Sequence, residues 1–201
     1  SEINKRTSSD DPINTLEINK VVVPYKSLTE DMWNFIDISS FEILNKLSFD
    51  CTTLGKYVNK KIYRGLTTGR NEAFIIDGEK REKLIAKNQK NTERIKVLAT
   101  GKEVKRNYFN FQDKYLLFTG YDDDIPNQYP DIQEELDNYK EALIKRYDQG
   151  ENYWNLRACA YYEEMQQPKI IYPRINNRGN FYFDEKGDVF LLDNNFFIST
   201  D

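Results

Sequence analysis

The chain has 201 residues, a length that suits one domain or one domain with an appended element. It contains 14 Tyr, 12 Phe and 2 Trp, which favours an aromatic-rich core, and no long apolar run, so we expect no membrane span. The absence of histidine excludes Ser-His-Asp triads, histidine acid–base catalysis and histidine metal ligands. Two isolated cysteines, Cys51 and Cys159, fit the reducing cytoplasm better than a disulfide scaffold.

The net charge of −4 conceals an uneven distribution along the chain. Residues 55–114 carry 16 Lys/Arg against 7 Asp/Glu, whereas residues 115–165 carry 4 against 12. A basic block inside an acidic protein indicates a surface that faces a polyanion such as DNA. The alternative is that the basic and acidic blocks neutralise each other across the fold.

The predicted elements start after a polar segment, residues 1–19, which we expect to be a flexible lead-in. The capping-box pattern at 27–30 predicts a helix, and further helices are predicted at 40–47 and 80–90. Strands are predicted at 57–64, 73–76, 95–98, 115–119, 168–175 and 194–198, with a hairpin formed by 180–184 and 189–192.

One long amphipathic helix is predicted near 131–149. Its apolar stripe has helical spacing and consists of Ile132, Leu136, Tyr139, Leu143 and Tyr147. Gly150 is expected to close it. A helix of this kind is usually a packing brace, so we assign it no site.

The stretch 63–76 joins two predicted strands through a loop that contains Gly65 and Gly69. Two threonines, an arginine and an asparagine lie between and beside the glycines. Glycines let backbone N–H groups come close to an oxyanion such as phosphate. The alternative is a plain hairpin turn.

Several enzymatic chemistries lack their motifs. There is no Pro-Pro pair for the Asn/Asp-Pro-Pro-aromatic loop of amino methyltransferases, and Gly65-x3-Gly69-Arg70 does not match a P-loop. The closest pattern to a metal-dependent nuclease is Asp77 followed by Glu103-Val104-Lys105, with Asp122–Asp124 as a further acidic cluster. Nuclease activity is therefore kept as an alternative.

The side chains of the basic block suit nucleic acid. Arg and Lys contact phosphates and guanine edges, Asn and Gln pair with adenine, and aromatic rings stack. We consider as candidates Arg64, Thr67, Thr68, Gly69, Arg70, Asn71, Lys102, Lys105 and Arg106, and later in the chain Tyr172, Arg174, Asn176 and Arg178.

The order of several motifs resembles the TaqI-like C-terminal specificity domain. The first motifs are Gly65-x-Thr67-Thr68-Gly69-x-Asn71-x-Ala73-Phe74-Ile75-Ile76 and Leu98-x-x-Gly101-Lys102-Glu103-Val104-Lys105-Arg106. Tyr115-Leu116-Leu117, Tyr129-Pro130, Lys145-Arg146, Trp154 and Pro168-Lys169-Ile170-Ile171-Tyr172-Pro173 follow in order. The resemblance covers roughly residues 30–198, most of the chain.

This resemblance implies an α+β domain with a mixed, curved β-sheet and supporting helices. In that family the domain follows an adenine-specific methyltransferase, as in bacterial type IIG restriction–modification enzymes, and clamps DNA while an adenine is flipped out. We therefore expect residues 20–201 to be a target recognition domain excised from a longer enzyme, non-catalytic, monomeric and cytoplasmic. Its partners would be double-stranded DNA and the methyltransferase domain.

No cofactor is expected in this chain. The parent enzyme that the resemblance implies would use S-adenosylmethionine, with Mg²⁺ as an optional second cofactor. The first hypothesis is sequence-specific recognition of double-stranded DNA. In it, Thr67, Thr68 and the backbone of Gly69 bind phosphate. The side chains that approach phosphate or base edges would be Arg70, Asn71, Lys102, Lys105 and Arg106. The second hypothesis is a protein-interaction module that docks a methyltransferase subunit through the aromatic and acidic face of 115–165.

Overall fold

The computed structural model describes residues 20–28, 33, 35–49, 51–120, 124–147 and 149–200. The chain divides into two compact units, Ser1–Tyr57 and Val58–Asp201. The lead-in predicted at 1–19 lies outside the described residues, and a single recognition domain at 20–201 stays a prediction. No helix in the described part of the chain is long and apolar enough to cross a membrane.

The first unit contains helices α1 (Ile38–Phe49) and α2 (Leu54–Tyr57) after a 3-10 turn at Tyr25–Ser27. Asp37 caps α1, since its carboxylate accepts a hydrogen bond from Ser40 N at 2.9 Å. This confirms the helix predicted at 40–47. The helix predicted from 27 onward falls partly outside the described residues, and Trp33 forms an isolated bridge with Leu28.

The second unit carries the hydrophobic core, and its described residues form ten strands and six α-helices. The strands are Ile62–Arg64 (β1), Ile75–Asp77 (β2), Ile95–Ala99 (β3), Val104–Lys105 (β4), Tyr108–Phe109 (β5), Lys114–Leu117 (β6), Lys169–Pro173 (β7), Tyr182–Asp184 (β8), Val189–Leu191 (β9) and Asn195–Ser199 (β10). The helices are Asn71–Phe74 (α3), Gly78–Lys87 (α4), Ile125–Gln128 (α5), Pro130–Asp137 (α6), Lys140–Ile144 (α7) and Tyr162–Met165 (α8).

Eight of the strands form two four-stranded sheets. The antiparallel sheet has the order β1-β10-β7-β8, and the mixed sheet has the order β2-β6-β3-β9, in which β3 and β9 are parallel. Strands β4 and β5 form a separate hairpin. The α+β class and the mixed pairing are confirmed, with two sheets where the resemblance implied one.

The hairpin predicted at 180–192 is wrong, because its two strands belong to different sheets. Strand β8 pairs with β7, and β9 pairs with β3. Asp184 directs the crossing: its Oδ2 accepts hydrogen bonds from the buried Lys169 Nζ at 2.6 Å and from Val189 N at 3.0 Å. The chain does bend at 185–187, and Asp184 joins the end of β8 to β7 and to the start of β9.

The long helix predicted near 131–149 is divided into α6 and α7. Asn138 Nδ2 donates to the Glu135 carbonyl at 3.2 Å, and Tyr139 leaves helical geometry with φ −115° and ψ 8°. A side chain that bonds to the backbone competes with the helix ladder. The apolar stripe is nevertheless used, because Ile132, Leu136 and Leu143 are fully buried.

Candidate nucleic-acid interface

The turn between β9 and β10, residues 192–195, joins segments that are far apart in sequence. Asn194 O accepts from Arg174 N at 2.7 Å, and Leu192 N donates to Ala99 O at 3.0 Å. On the other side, Gly65 N donates to Asn195 O at 2.9 Å. This turn therefore brings together the end of β1, the loop after β3 and the loop after β7, which carry most of the predicted site residues.

The crossing loop, residues 65–71, leads from the antiparallel sheet to the mixed sheet and runs beside this turn. Leu66 and Leu192 form a parallel bridge, and Leu66 N donates to Leu191 O at 2.6 Å. A Cβ atom at Gly65 would lie 2.1 Å from Leu192 O, so only glycine fits. The close approach at Gly65 is thus to the protein's own backbone.

Thr68 shapes the crossing loop from inside. It is 1% exposed, its hydroxyl donates to Asn71 Oδ1 at 2.6 Å, and the same oxygen accepts from Arg70 N at 3.1 Å. The hydroxyl is therefore already bonded within the loop, and the phosphate contact predicted for Thr68 stays a prediction. Thr67 and Gly69 line a depression on the surface of this loop.

Arg146 holds the crossing loop in place through hydrogen bonds to backbone carbonyls, a role that was not predicted from the sequence. Its guanidinium donates to the carbonyls of Thr68 at 2.7 Å, Tyr153 at 2.6 Å and Asn155 at 2.8 Å. Its Nε donates to Leu143 O at 3.2 Å, a bond typical of a cation at a helix end. The position of Arg146 near the end of the predicted helix was the sequence feature that could have indicated this role.

Five cations lie on the loops and hairpin around the β9–β10 turn. We call them the cationic edge: Lys102, Lys105, Arg106, Arg174 and Arg178. None of these side chains forms a salt bridge with any residue in the described ranges.

The β4–β5 hairpin lies beside the loop between β7 and β8, which brings the two halves of the cationic edge together. At the hairpin tip Asn107 has φ +66°, and its N–H donates to Phe181 O at 2.9 Å. Phe109 stacks on Tyr182 with ring centroids 5.6 Å apart. Asn176 closes the neighbouring loop through two hydrogen bonds to the Asn180 backbone, so its amide has a structural role.

The remaining predicted residues have protein partners. Arg64 pairs with Asp193 at 2.9 Å, and Arg70 Nε lies 3.1 Å from Glu72 Oε2. Tyr172 is partly buried between Phe196 and Phe181, and burial raises its pKa. Asp193 was missed by the sequence analysis, since no pattern distinguishes it from an ordinary turn aspartate.

Glu103 anchors the loop that carries Lys102. It is 1% exposed and accepts hydrogen bonds from Thr100 N at 2.8 Å and Thr100 Oγ1 at 2.6 Å. Burial acts to raise the pKa of Glu103, but the Thr100 hydrogen bonds and the charge of Lys114, 3.7 Å away, leave that pKa below its ordinary value. The carboxylate is therefore charged at neutral pH and fixed in place.

The described acidic residues of the nuclease alternative have structural roles. Asp77 caps α4 by accepting from Lys80 N at 2.9 Å, and Glu103 is committed to Thr100. Asp122 and Asp123 lie outside the described residues, and Asp124 bonds to Asn127. Within the described ranges, no three Cys, Asp or Glu residues are grouped to hold a metal ion.

Part of the basic block is neutralised by the acidic block. We call the contact between α4 and α6 the paired face. Lys80 lies 2.6 Å from Glu135, and Lys87 lies 2.8 Å from Glu134. The hydrogen bond with Glu135 raises the pKa of Lys80. The predicted docking face of 115–165 overlaps this region, where Tyr129 and other aromatic side chains pack in or against the core.

No protein-family model and no curated protein sequence matches the chain. Among solved structures, the chain is similar to the Type IIL restriction-modification enzyme MmeI, determined in complex with DNA, with a TM-score of 0.50. The sequence identity is 8%, and the match covers 70% of this chain and 19% of that chain. At this identity the likeness is one of fold, to about a fifth of a restriction-modification enzyme.

Proposed function

We propose that this chain is the sequence-specific double-stranded DNA recognition domain of a restriction–modification methyltransferase and is non-catalytic by itself. The observation that carries the proposal is the cationic edge, in which five cations lie on neighbouring segments and have no carboxylate partner in the described structure. Unpaired cations gathered on one surface attract the phosphates of DNA.

The cationic edge suits the phosphate backbone, while the crossing loop suits base edges. Lys102, Lys105 and Arg106 lie on a bend and a tight hairpin, from which long side chains reach along a duplex. Arg174 and Arg178 extend this surface on the β7–β8 loop. In the crossing loop Arg70 is exposed, and its pairing with the exposed Glu72 is weak enough to exchange for DNA.

The fold supports the proposal, because MmeI is a restriction-modification enzyme whose structure was determined with DNA. The resemblance to TaqI-like specificity domains implies the same class of enzyme. On this proposal a methyltransferase domain supplies S-adenosylmethionine chemistry in the bacterial cytoplasm, with Mg²⁺ needed if the parent enzyme also cleaves. The recognition domain contributes binding and target choice, the residues of this chain acting on DNA and not on the cofactor.

The test is binding to a randomised duplex pool at several salt concentrations. We expect wild-type protein to enrich a defined sequence and its affinity to fall steeply with salt. Lys105→Glu with Arg106→Glu should lower affinity by on the order of a hundredfold, and the slope of log Kd against log salt should fall by about 2.

The matched control reverses two exposed charges on α4, Lys83→Glu with Lys87→Glu. Because these lysines already have carboxylate partners, Glu79 and Glu134, we expect a much smaller loss of DNA affinity. Equal losses for the two double variants would show that overall charge, and not the cationic edge, determines binding. Absent or salt-insensitive binding of the wild type, also when fused to a methyltransferase, would contradict the proposed function.

A further inference from the structure

We propose that Arg64 and Asp193 together recognise one G·C base pair in the major groove of the target. This inference rests on the proposed function and assigns a specificity-determining pair within it. A G·C pair presents the N7 and O6 acceptors of guanine beside the N4 amino donor of cytosine. A guanidinium and a carboxylate held side by side are complementary to that edge.

The structure holds the two side chains next to each other, Arg64 at the end of β1 and Asp193 in the β9–β10 turn. Arg64 Nη2 and Asp193 Oδ2 are 2.9 Å apart. Arg64 ends strand β1, where it is registered opposite Phe196, and Gly65 N bonds to Asn195 O. Both backbones are therefore fixed by the same strand pairing, so the pair is positioned before any ligand arrives.

The pair remains accessible although it is formed. The side chain of Arg64 is 49% exposed and that of Asp193 is 36% exposed. Both side chains border a depression of about 300 Å³ that is also lined by Thr67 and Tyr161. A base edge thus has room to approach. A guanidinium has five N–H donors, so the bond to Asp193 leaves others available for guanine.

The charge of the surroundings separates this pair from the phosphate-binding cations. A carboxylate repels phosphate, so Asp193 is suited to a donor such as a base amino group. Because Asp193 neutralises Arg64, this arginine is a poorer phosphate ligand than the unpaired cations of the cationic edge. An A·T pair fits less well, since it lacks the two adjacent acceptors of guanine and presents the thymine methyl group.

The decisive experiment exchanges the two charges. Wild-type protein and Arg64→Asp with Asp193→Arg are each selected against a randomised duplex pool, with thermal unfolding as a check of the fold. We expect a G·C position in the wild-type target that becomes C·G in the exchanged variant, while the other positions stay the same. Lys102→Ala is the control and should lower affinity for all sequences without changing the target.

Asp193→Asn tests the proposal without requiring the exchanged pair to fold. It keeps the side-chain shape and an acceptor but adds a donor, so preference for G·C at that position should fall by about ten- to a hundredfold. An unchanged target in both variants would overturn the inference and leave the pair as a structural tie. Failure of the wild type to select any sequence would contradict the proposed function itself.

Discussion

The paired face and three members of the cationic edge, Lys102, Lys105 and Arg106, originate from the same basic block of the sequence but differ in how their charges are used. On the paired face, α4 lies against the acidic helix α6, and Lys80 and Lys87 meet Glu135 and Glu134. On the cationic edge, none of the five side chains meets a carboxylate within the described residues. The basic block thus contains both neutralised cations and cations that are available for a ligand.

The difference follows from the elements that carry the charges. Two packed helices place rows of side chains against each other, so a basic row and an acidic row neutralise along the contact. The cationic edge lies on turns around residues 192–195, whose contacts with neighbouring segments are mainly backbone hydrogen bonds. Backbone bonds fix the position of a loop and leave its side chains free. A block of like charges in the sequence therefore indicates a ligand-binding surface only where the fold places those residues on loops.

The largest effect on stability is expected from Gly65→Ala, which disrupts the contact between the crossing loop and the β9–β10 turn. Its Cβ would lie 2.1 Å from Leu192 O, a backbone atom that cannot move without disturbing the turn. We expect a loss of about 3 kcal/mol or more in the free energy of unfolding, at the upper end for overpacking. Urea denaturation measures it.

Gly55→Ala is the matched control, because nothing lies within 4 Å of a Cβ at that position. It should leave the free energy of unfolding unchanged or slightly raised. If both variants unfold at the same urea concentration as wild type, the crossing loop does not pack against Leu192 as the structure has it.

The individual strands are well predicted by local pattern. The segments predicted at 95–98, 115–119 and 168–175 are strands, because runs of β-branched and aromatic residues fit a pleated, buried surface. The strand predicted at 57–64 starts only at Ile62, since α2 and positive φ angles at Asn59 and Lys60 precede it.

Sheet membership and side-chain roles were not predictable in the same way, because they depend on long-range contacts. The turn at 185–188 has the composition of a hairpin, yet the buried Asp184 sends the chain to the other sheet. Similarly, the crossing loop has the glycines and threonines of a phosphate-binding loop, but its backbone is held by Arg146, which donates to the Thr68 carbonyl from 78 residues away. Local sequence contains neither partner.

The next effect in size concerns Arg146→Met, which keeps much of the side-chain volume and removes the guanidinium. Carbonyl oxygens of Thr68, Tyr153 and Asn155 would lose their charged donor. We expect a loss of about 2–3 kcal/mol in the free energy of unfolding. Hydrogen exchange of the amides at 66–70 should also become faster, because the crossing loop loses its support.

Lys145→Met is the control for Arg146→Met, since it removes an exposed positive charge from the adjacent position. Stability and exchange should be nearly unchanged. If Lys145→Met has the same effect as Arg146→Met, net charge and not the carbonyl contacts stabilises this region.

A smaller effect, dependent on pH, is expected from Glu103→Gln beneath the cationic edge. The glutamine side chain keeps one oxygen that can accept from Thr100, but its NH₂ group faces the second Thr100 donor. This should lower the free energy of unfolding by about 1–2 kcal/mol at neutral pH. Because the native pKa of Glu103 lies below the ordinary value of 4.5, its stabilising contribution is present above that value and is lost as pH falls through the native pKa.

The difference in unfolding free energy between wild type and Glu103→Gln should therefore shrink below about pH 4.5. Glu134→Gln on the paired face provides the comparison, because that carboxylate is 71% exposed and its removal should change neither stability nor its pH dependence measurably. A wild-type curve parallel to that of Glu103→Gln throughout acid titration would show that Glu103 is not anchored as a carboxylate.

The smallest effect on stability, and the sharpest contrast between the two regions, comes from removing one lysine from each. Lys87→Ala breaks a pair in which both side chains are more than half exposed, and Lys102→Ala removes an exposed lysine with no salt bridge to a described residue. Neither should change the free energy of unfolding measurably. Only Lys102→Ala should lower DNA affinity and reduce the salt slope, by about 1. Equal slopes for the two variants would mean that the carboxylate partners on the paired face do not decide which cations bind DNA.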